Sequence, residues 1–225
     1  MTSYYLQNPK FHVGIDCIIF GFDKGELHLL IQKRNFEPAK GKWSLMGGFV
    51  QADESSDDAA QRVLRDLTGL DHIYMEQVGA FGDVNRDPGE RVISIAYYAL
   101  ININEYNTES TNKYNAHWVK LNELPELIFD HSEMVRMALE QMQQKASCAP
   151  ISFKLLPELF TLSQLQSLYE AISREQIDKR NFRKRVAEME FIEKTDKIDK
   201  SGSRRGAYLY RFNDKAYRKD SKFKL

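Results

Sequence analysis

Residues 48–70 (GFVQADESSDDAAQRVLRDLTGL) combine glycines and acidic side chains at spacings that could serve phosphate chemistry. Carboxylates three or four residues apart on a helix share one face and can bind a single Mg²⁺ ion, which then polarises a diphosphate and activates a water. Glu54 and Asp66 are suited to such a site, but Val63 and Leu67 occupy the helix positions beside them. Aliphatic neighbours raise the cost of placing charge nearby. The segment therefore lacks carboxylates where a metal site would need them.

A second group of functional side chains lies near the C terminus, on a helix rich in basic residues. Arginine binds guanine edges through two hydrogen bonds, asparagine binds adenine, and lysine or arginine holds phosphates. The candidate DNA-contacting residues of this helix are Lys179, Arg180, Asn181, Arg183, Lys184 and Arg185. A following wing, made of a basic loop and the strand after it, adds Ser203, Arg204, Arg205 and Tyr208 as candidate contacts to the DNA backbone or minor groove.

The elements that must position the side chains of residues 48–70 are predicted to form an α+β unit. Alternating and continuous apolar runs predict strands over residues 12–20, 27–34, 43–50, 74–81, 91–103 and 117–120. Ser55 or Ser56 can cap a helix that carries an apolar face and ends at Gly69. A second helix over residues 130–145 carries a stripe of methionines.

The second group lies in a different pattern, which begins after a short Ser- and Pro-containing link. Helices over residues 161–172 and 178–189 are joined by a short turn, and strands over 191–195 and 207–212 enclose a basic loop at 196–206. This order is typical of a winged helix-turn-helix, whose second helix lies in the major groove. The alternative is a solvated basic helix in a small accessory domain. The predicted domains are residues 1–148 and residues 149–225.

Charge is distributed unevenly between these parts, although the net charge of the 225 residues is zero. Residues 1–150 hold 14 Lys and Arg against 21 Asp and Glu, whereas residues 151–225 hold 18 against 11. A basic C-terminal part beside an acidic N-terminal part indicates nucleic-acid contact by the former.

Composition argues against membrane, secreted, zinc-binding and disulfide-rich classes of protein. A hydrophobic fraction of 42% is sufficient for substantial cores. No apolar run approaches the roughly 20 residues that cross a membrane, and the first ten residues lack a secretory signal pattern. Cys17 and Cys148 lie far apart and fit neither a zinc site nor a disulfide framework. We therefore expect a soluble cytoplasmic protein without a membrane partner.

Residues 48–70 resemble the Nudix box, which reads Gly, five residues, Glu, seven residues, Arg-Glu, apolar, any, Glu-Glu, any, Gly, apolar. The matching residues are Gly48, Glu54, Arg62, Leu64, Asp66, Gly69 and Leu70. The resemblance implies a Nudix α/β/α sandwich for residues 1–145. It places the three helix acids of the box at Val63, Asp66 and Leu67, so we expect neither catalysis nor a bound metal. Glu54 and Arg62 are then expected to form a clamp between loop and helix.

The pairing of a degenerate Nudix domain with a winged helix resembles the Nudix-related transcriptional regulators. The segments that carry this resemblance are residues 79–88, 129–131, 160–172 and 178–185. It implies a homodimer on a palindromic double-stranded DNA operator, released by an effector bound to the Nudix domain. Some members respond to ADP-ribose or related nucleotides. The sequence is most similar to the arabinose-responsive branch, which implies a repressor of sugar utilisation with L-arabinose as its effector.

A neutral sugar would need polar groups and an aromatic face but no metal. Asp16 lies within an apolar strand, which is costly unless the carboxylate is paired or used. The candidate effector-binding residues are Asp16, Lys42, Trp43, Phe81, Asp83, Asn85 and Arg86. Core packing remains an alternative for Trp43 and Phe81, and a structural partner remains one for Asp16.

Two functions from different classes follow from these patterns. The first is a ligand-controlled DNA-binding repressor that is not an enzyme and uses no cofactor. The alternative is a weak Nudix hydrolase of nucleoside diphosphate derivatives with a basic tail that binds RNA or a partner. Val63 and Leu67 argue against the alternative.

Overall fold

The computed structural model describes residues 3–69, 73–105, 115–201 and 206–219. Its N-terminal part is built on a seven-stranded sheet with the order β3-β2-β1-β6-β5, in which β4 also pairs with β1 and β7 with β2. The strands are β1 (His12–Asp23), β2 (Glu26–Lys33), β3 (Trp43–Ser44), β4 (Met46–Phe49), β5 (Tyr74–Phe81), β6 (Val92–Ile101) and β7 (Ala116–Lys120). The helices of this part are α1 (Ser3–Leu6), α2 (Ser56–Thr68) and α3 (His131–Ala146).

Strand β1 shows how the sheet acquires a helix on each face. Successive side chains of a strand point to opposite faces. Ile15 and Ile19 pack in one buried cluster with the α2 face that includes Leu64. Ile18 and Phe20 pack in the other cluster, which contains the methionines of α3. The layers are therefore helix, sheet and helix, as the sequence predicts.

Helix α2 begins and ends with the signals that its sequence carries. The Ser55 hydroxyl accepts a hydrogen bond from the Asp58 amide, and the Asp58 carboxylate accepts one from the Ser55 amide, which completes a capping box. Gly69 ends the helix in the left-handed region, with φ of 72°. A glycine adopts this conformation without the strain that a Cβ atom would impose.

The described residues of the C-terminal part form three helices and a three-stranded sheet with the order β8-β10-β9. Its elements are a 3-10 turn (Pro150–Leu155), β8 (Phe160–Thr161), α4 (Leu162–Ser173), α5 (Lys179–Ala187), β9 (Ile192–Asp199), β10 (Ala207–Phe212) and α6 (Asp214–Lys219). The predicted pair of helices followed by a hairpin is confirmed. Strand β8 and helix α6 were not predicted from the sequence.

Two strand predictions need correction. The run predicted as one strand over 43–50 is divided at Leu45, because the Leu45 amide donates to the His131 ring rather than to a neighbouring strand. The first wing strand extends beyond residue 195 to Asp199, which pairs with Ala207, so the loop is shorter than predicted. The mostly exposed faces of this hairpin give no clear alternation of apolar and polar residues from which to read its length.

The two parts share one hydrophobic cluster. Leu29 of β2, Met142 of α3 and Leu165 of α4 belong to the same group of buried side chains. The domain boundary between residues 148 and 149 stays a prediction, and it falls between α3 and the 3-10 turn. In the described part of the chain, no helix is long and apolar enough to cross a membrane.

Candidate effector cleft and nucleic-acid interface

The main candidate site is a cleft of about 420 Å³ beside β1, β4 and the loop that follows β2. Its walls include Asp16, the aliphatic side chain of Leu67, and the backbone of Gly47. A Cβ atom on Gly47 would lie 2.4 Å from the Ile15 carbonyl oxygen and 2.9 Å from the Asp16 Oδ1 atom. Glycine at this position therefore allows β4 to approach β1 closely and leaves the Asp16 carboxylate its space.

A network of charged side chains forms the inner wall of the cleft. The Arg86 guanidinium donates to both carboxylate oxygens of Asp130, at 2.8 and 2.7 Å, and its Nη2 atom lies 3.5 Å from Asp16. The Ser94 hydroxyl donates to the same Asp16 carboxylate at 2.6 Å. The Arg86 side chain is only 4% exposed. A charge buried to this extent requires paired partners and hydrogen bonds, which the two carboxylates supply.

His131 closes this network from the first turn of α3. Its Nδ1 atom accepts a hydrogen bond from the Leu45 amide at 3.0 Å, so the proton of a neutral ring lies on Nε2. The Nε2 atom faces Asp16, with 3.6 Å between it and Oδ1. Burial lowers the pKa of His131, although the nearby Asp16 carboxylate opposes that shift. The ring is therefore neutral near pH 7 and joins β1 to the start of α3.

The outer wall carries an aromatic and a basic side chain in contact. The Arg34 guanidinium lies over the Phe36 ring, 4.1 Å from its centroid, and 5.7 Å from the centroid of Phe129. The Arg34 Nε atom donates to the Pro38 carbonyl oxygen at 2.9 Å. Lys33, which also lines the cleft, lies with its ammonium over the Trp43 ring at 5.0 Å. This wall therefore offers positive charge and a partly exposed aromatic ring.

Glu54 and Arg62 form the clamp that the sequence predicts between the glycine loop and α2. Arg62 donates from Nε and Nη2 to the Glu54 carboxylate at 2.8 and 2.6 Å, and also to the Phe49 carbonyl oxygen at 3.0 Å. Val63 and Leu67 are buried on the inner face of α2. Within the described ranges, no group of three or more His, Cys, Asp or Glu side chains is arranged to hold a metal ion.

The structure brings together only part of the predicted effector-binding set. Asp16 and Arg86 line the cleft and belong to one network. The residues that do not line it are Lys42, Trp43, Phe81, Asp83 and Asn85. Trp43 and Phe81 pack against the hydrophobic core, whereas Asp83 accepts a hydrogen bond from the Asn85 amide in an exposed turn. Lys42 is exposed.

Sequence reasoning missed several cleft residues. The residues that line or complete the cleft without having been predicted are Lys33, Arg34, Phe36, Ser94, Phe129, Asp130 and His131. Residues 129–131 were noted only as part of the resemblance to the Nudix-related regulators, and from their residue types Asp130 and His131 were interpreted as the start of a helix. Asp130 and His131 precede a turn of α3 that carries apolar residues. That position could have indicated that the two polar side chains are at least partly buried and available as partners for Arg86.

The helix-turn-helix is stabilised by local hydrogen bonds. The Thr161 hydroxyl caps α4 through a capping box with Gln164. The Glu170 carboxylate accepts a hydrogen bond from the Ile177 amide at 3.0 Å, and the Asp178 carboxylate accepts one from the Asn181 amide at 2.8 Å. These contacts fix the turn and the start of α5 relative to α4.

Helix α5 has the two faces that the sequence predicts. Phe182 and Val186 are buried, and Met189 packs inward just beyond the helix. The six candidate DNA-contacting residues of α5 are all exposed: Lys179, Arg180, Asn181, Arg183, Lys184 and Arg185. In the wing, Tyr208 is exposed, and the Lys194 ammonium lies 3.4 Å from its ring centroid. Ser203, Arg204 and Arg205 lie outside the described residues.

Comparison with known proteins identifies the family to which this architecture belongs. The NUDIX domain model matches residues 10–138, and the model of the NrtR DNA-binding winged helix domain matches residues 152–212. The ADPR responsive transcriptional repressor NtrR of Acinetobacter baylyi is 36% identical over 208 residues, which cover 91% of this chain and 83% of that protein.

This chain belongs to the NrtR family of transcriptional repressors.

Solved structures agree with membership of the NrtR family. Shewanella oneidensis NrtR complexed with a 27mer DNA has a TM-score of 0.81 and 26% identity, over 95% of this chain and 97% of that chain. The NUDIX domain of the same protein complexed with ADP ribose has a TM-score of 0.50 and 25% identity, over 63% of this chain and 99% of that chain. The predicted fold, a Nudix sandwich followed by a winged helix, is thereby confirmed.

The relatives bear on the functional predictions in different ways. A DNA-binding repressor with a NUDIX domain is confirmed by the family. Sugar utilisation and an arabinose effector find no support among these relatives. An ADP-ribose pyrophosphatase of Methanocaldococcus jannaschii is 34% identical over 124 residues, which cover 55% of this chain and 70% of that enzyme. The NUDIX part of this NrtR-family protein is therefore related to both repressors and hydrolases.

The Glu54–Arg62 clamp has an expected pH dependence. The hydrogen bond with Arg62, helped by the Gln51 amide, lowers the pKa of Glu54 to about 2. Because the pKa is lowered in the folded state, the stabilisation is present above the ordinary carboxyl range and is lost as the pH falls towards 2. Arg62→Gln should raise the pKa of Glu54 towards its ordinary value, measured by NMR titration. Gln61→Ala, an exposed neighbour, should leave it unchanged, and an unchanged value in Arg62→Gln would contradict the clamp.

Proposed function

We propose that this protein is a repressor whose affinity for its DNA operator falls when ADP-ribose or a closely related nucleotide binds the cleft. The observation that carries the proposal is a polar, cationic cleft in a NUDIX domain whose metal-binding helix face is aliphatic. Such a site can bind a nucleotide without cleaving it. The Acinetobacter baylyi relative, an ADPR responsive repressor, and the ADP ribose complex of the Shewanella oneidensis NUDIX domain support this choice of effector.

The chemistry of the cleft suits a nucleotide better than a free pentose. Its volume of about 420 Å³ lies within the range of roughly 300–1,000 Å³ that holds cofactor-sized ligands. The cations of Lys33 and Arg34 at the outer wall can attract a diphosphate in the absence of metal. The Asp16 carboxylate and the Ser94 hydroxyl at the inner wall can hydrogen-bond ribose hydroxyls. A monosaccharide, which the sequence alone suggested, would leave most of this volume unfilled.

The effector is tested by fluorescence anisotropy of labelled DNA, selected for binding to the full chain. ADP-ribose without divalent metal should weaken DNA binding by about 5- to 150-fold, the usual range of allosteric coupling. L-arabinose is the comparison ligand and should have no effect at the same concentration. Release of DNA by L-arabinose and not by ADP-ribose would overturn the nucleotide proposal and restore the pentose.

We also propose that the protein binds a palindromic operator as a homodimer. The basic faces of two α5 helices repel each other, so the contact between protomers is expected in the NUDIX part. A two-fold dimer would present its α5 helices to half-sites separated by whole helical turns of DNA. Light scattering should give the mass of a dimer, and a monomer that binds a single half-site would contradict the proposal.

We propose that the NUDIX part does not hydrolyse nucleotides. Val63 and Leu67 are buried apolar residues at positions where the box requires carboxylates, so Mg²⁺ lacks the hard oxygen ligands that it prefers. Formation of AMP and ribose 5-phosphate from ADP-ribose with Mg²⁺ or Mn²⁺ should remain at the level of the buffer. Metal-dependent turnover comparable to that of an active hydrolase would favour the alternative function, a weak hydrolase with a nucleic-acid-binding tail.

Base recognition by α5 leads to a separate prediction. Arg180 and Asn181 lie exposed in the first turn of α5, the part of a recognition helix that approaches base edges. Replacing either by Ala should weaken specific binding by about 1–3 kcal/mol and relax preference at one position. Arg180→Lys should keep non-specific affinity and lose the preference, because lysine lacks the planar fork of arginine. Equal binding of all sequences by the wild type would contradict base recognition.

A further inference from the structure

Phe36 is an exposed aromatic side chain at the rim of the cleft. It is 53% exposed and lines the cleft, whereas most large apolar side chains of this part are buried. Arg34 lies 4.1 Å from the ring centroid. The ring therefore has a charged neighbour on the protein side and retains about half of its surface for another partner.

The loop that carries Phe36 is held in place before any ligand arrives. Backbone hydrogen bonds join the Arg34 amide to the Lys42 carbonyl oxygen at 3.0 Å and the Gly41 amide to the Arg34 carbonyl oxygen at 2.8 Å. Gly41 has φ of 81°, which a glycine adopts without strain. The Arg34 side chain is fixed in turn by the Pro38 carbonyl oxygen. An ordered exposed ring loses little conformational entropy when a ligand stacks on it.

We propose that Phe36 is the platform on which the aromatic base of the effector stacks. The inference rests on the proposed function, and it assigns the base to the outer wall and the ribose to the Asp16 side. Aromatic stacking suits a flat purine because every base presents a π-face. The amide side chains of Gln32, Asn35 and Asn115 line the same cleft and can hydrogen-bond the edge of the base.

Calorimetry on the full chain with ADP-ribose, AMP and ribose 5-phosphate tests the platform. Phe36→Ala should weaken ADP-ribose and AMP by about tenfold or more, and should leave ribose 5-phosphate unchanged, because only the first two carry a base. Phe36→Trp should restore the affinity. Phe11→Ala is the matched control: Phe11 is 45% exposed, has Arg91 at 5.2 Å from its ring, and does not line the cleft.

The outcomes separate this inference from the proposed function. Unchanged binding of ADP-ribose by Phe36→Ala, or an equal loss of ribose 5-phosphate, would overturn the platform and leave the effector proposal intact. Binding of ADP-ribose that depends on Phe36 but does not alter DNA affinity would keep the platform and overturn the proposed function. Absence of binding by the wild type would overturn both.

A second inference rests on a different observation, a hydrogen bond between the two parts of the chain. Helix α3 is about 24 Å long, from its 16 residues and a rise of about 1.5 Å each. Its first residue is His131, and Asp130 stands at the N-cap position, where its carboxylate binds Arg86 in the cleft rather than the helix amides. Near its other end, the Gln143 side chain donates to the Ile172 carbonyl oxygen of α4 at 2.7 Å.

We infer that α3 transmits effector binding to the DNA-binding helices, with Gln143 as a positioning residue. Ile172 lies in the last turn of α4, and the nearby Glu170 carboxylate holds the Ile177 amide in the turn before α5. A ligand that displaces Asp130 or His131 moves the start of α3. Gln143 then carries that displacement to the turn that orients α5.

Measurement of the coupling factor, the ratio of DNA affinities without and with ADP-ribose, tests this inference. Gln143→Ala should lower the factor at least threefold, whereas Gln144→Ala, at an exposed neighbouring position, should not change it. By reciprocity, the effect of DNA on ADP-ribose affinity should fall equally. A purely structural role would weaken DNA binding equally with and without effector, and that result, or an unchanged factor, would overturn the inference. A wild type that binds ADP-ribose without any coupling would instead overturn the proposed function.

Discussion

Replacing Arg86 with methionine is expected to lower the free energy of unfolding by roughly 3–5 kcal/mol, the usual cost of removing one partner from a buried ionic group. The Arg86 side chain is 4% exposed and faces two carboxylates, those of Asp16 and Asp130, which are 14% and 23% exposed. Without the guanidinium, two neighbouring negative charges would remain in a poorly solvated cleft. Their partial exposure places the expected loss towards the lower end of the range.

Urea denaturation of the full chain measures this loss. Arg86→Lys should be intermediate, because it keeps the charge but cannot bind both oxygens of Asp130. Arg136→Met provides the control from α3: Arg136 pairs with Glu133 and Glu140 on the exposed face of that helix, so its removal should have a much smaller effect. An Arg86→Met variant as stable as the control would show that the network contributes little to the fold.

Replacing Phe182 with alanine is expected to have the largest effect in the C-terminal part. Phe182 is 2% exposed, lies on the inner face of α5, and has its ring centroid 6.5 Å from that of Tyr169 on α4. Removal of a buried Phe ring costs about 3–5 kcal/mol through lost burial and the cavity left behind. Helix α5 would lose its main anchor, so specific DNA binding should be lost as well.

Arg183→Ala provides the contrast for this prediction, because Arg183 is the exposed neighbour of Phe182. It should leave stability within about 0.5 kcal/mol of the wild type. It should weaken DNA binding and reduce the salt slope by about 1, if Arg183 holds a phosphate. Stability is measured by urea denaturation and DNA affinity by anisotropy at several salt concentrations. Unaltered specific binding by Phe182→Ala would show that α5 does not depend on this anchor.

Local signals in the sequence were sufficient for most of the elements. The capping residues Ser55 and Gly69 each bond to a residue three or four positions away, Asp58 and Arg65, and the structure places both caps as predicted. The apolar residues of 74–81 likewise predicted strand β5 with the observed bounds. The exposed basic face of α5 followed from its helical period, because a helix that buries Phe182 and Val186 must direct the residues between them outward.

The short elements were missed for a physical reason. Strand β8 has two residues and exists because Phe160 and Thr161 pair with β10, some fifty residues away in the chain. The division of β3 from β4 at Leu45 depends on His131, 86 residues further on. Such elements are stabilised by tertiary partners, and local propensity carries little information about them.

The sequence by itself determined the class of protein: a NUDIX scaffold without its metal ligands, joined to a winged helix with a basic second helix. These features depend on residue types at fixed spacings, which need no tertiary information. Only the tertiary structure decided which residues form the cleft. Asp16, Arg86 and the adjacent pair Asp130 and His131 come from three distant places in the chain and meet only because those places pack together, so no local pattern could show that they form one network. Arg34 and Phe36 also line the cleft only in the folded chain. Hydrogen bonds that form on folding hold the loop after β2 in position.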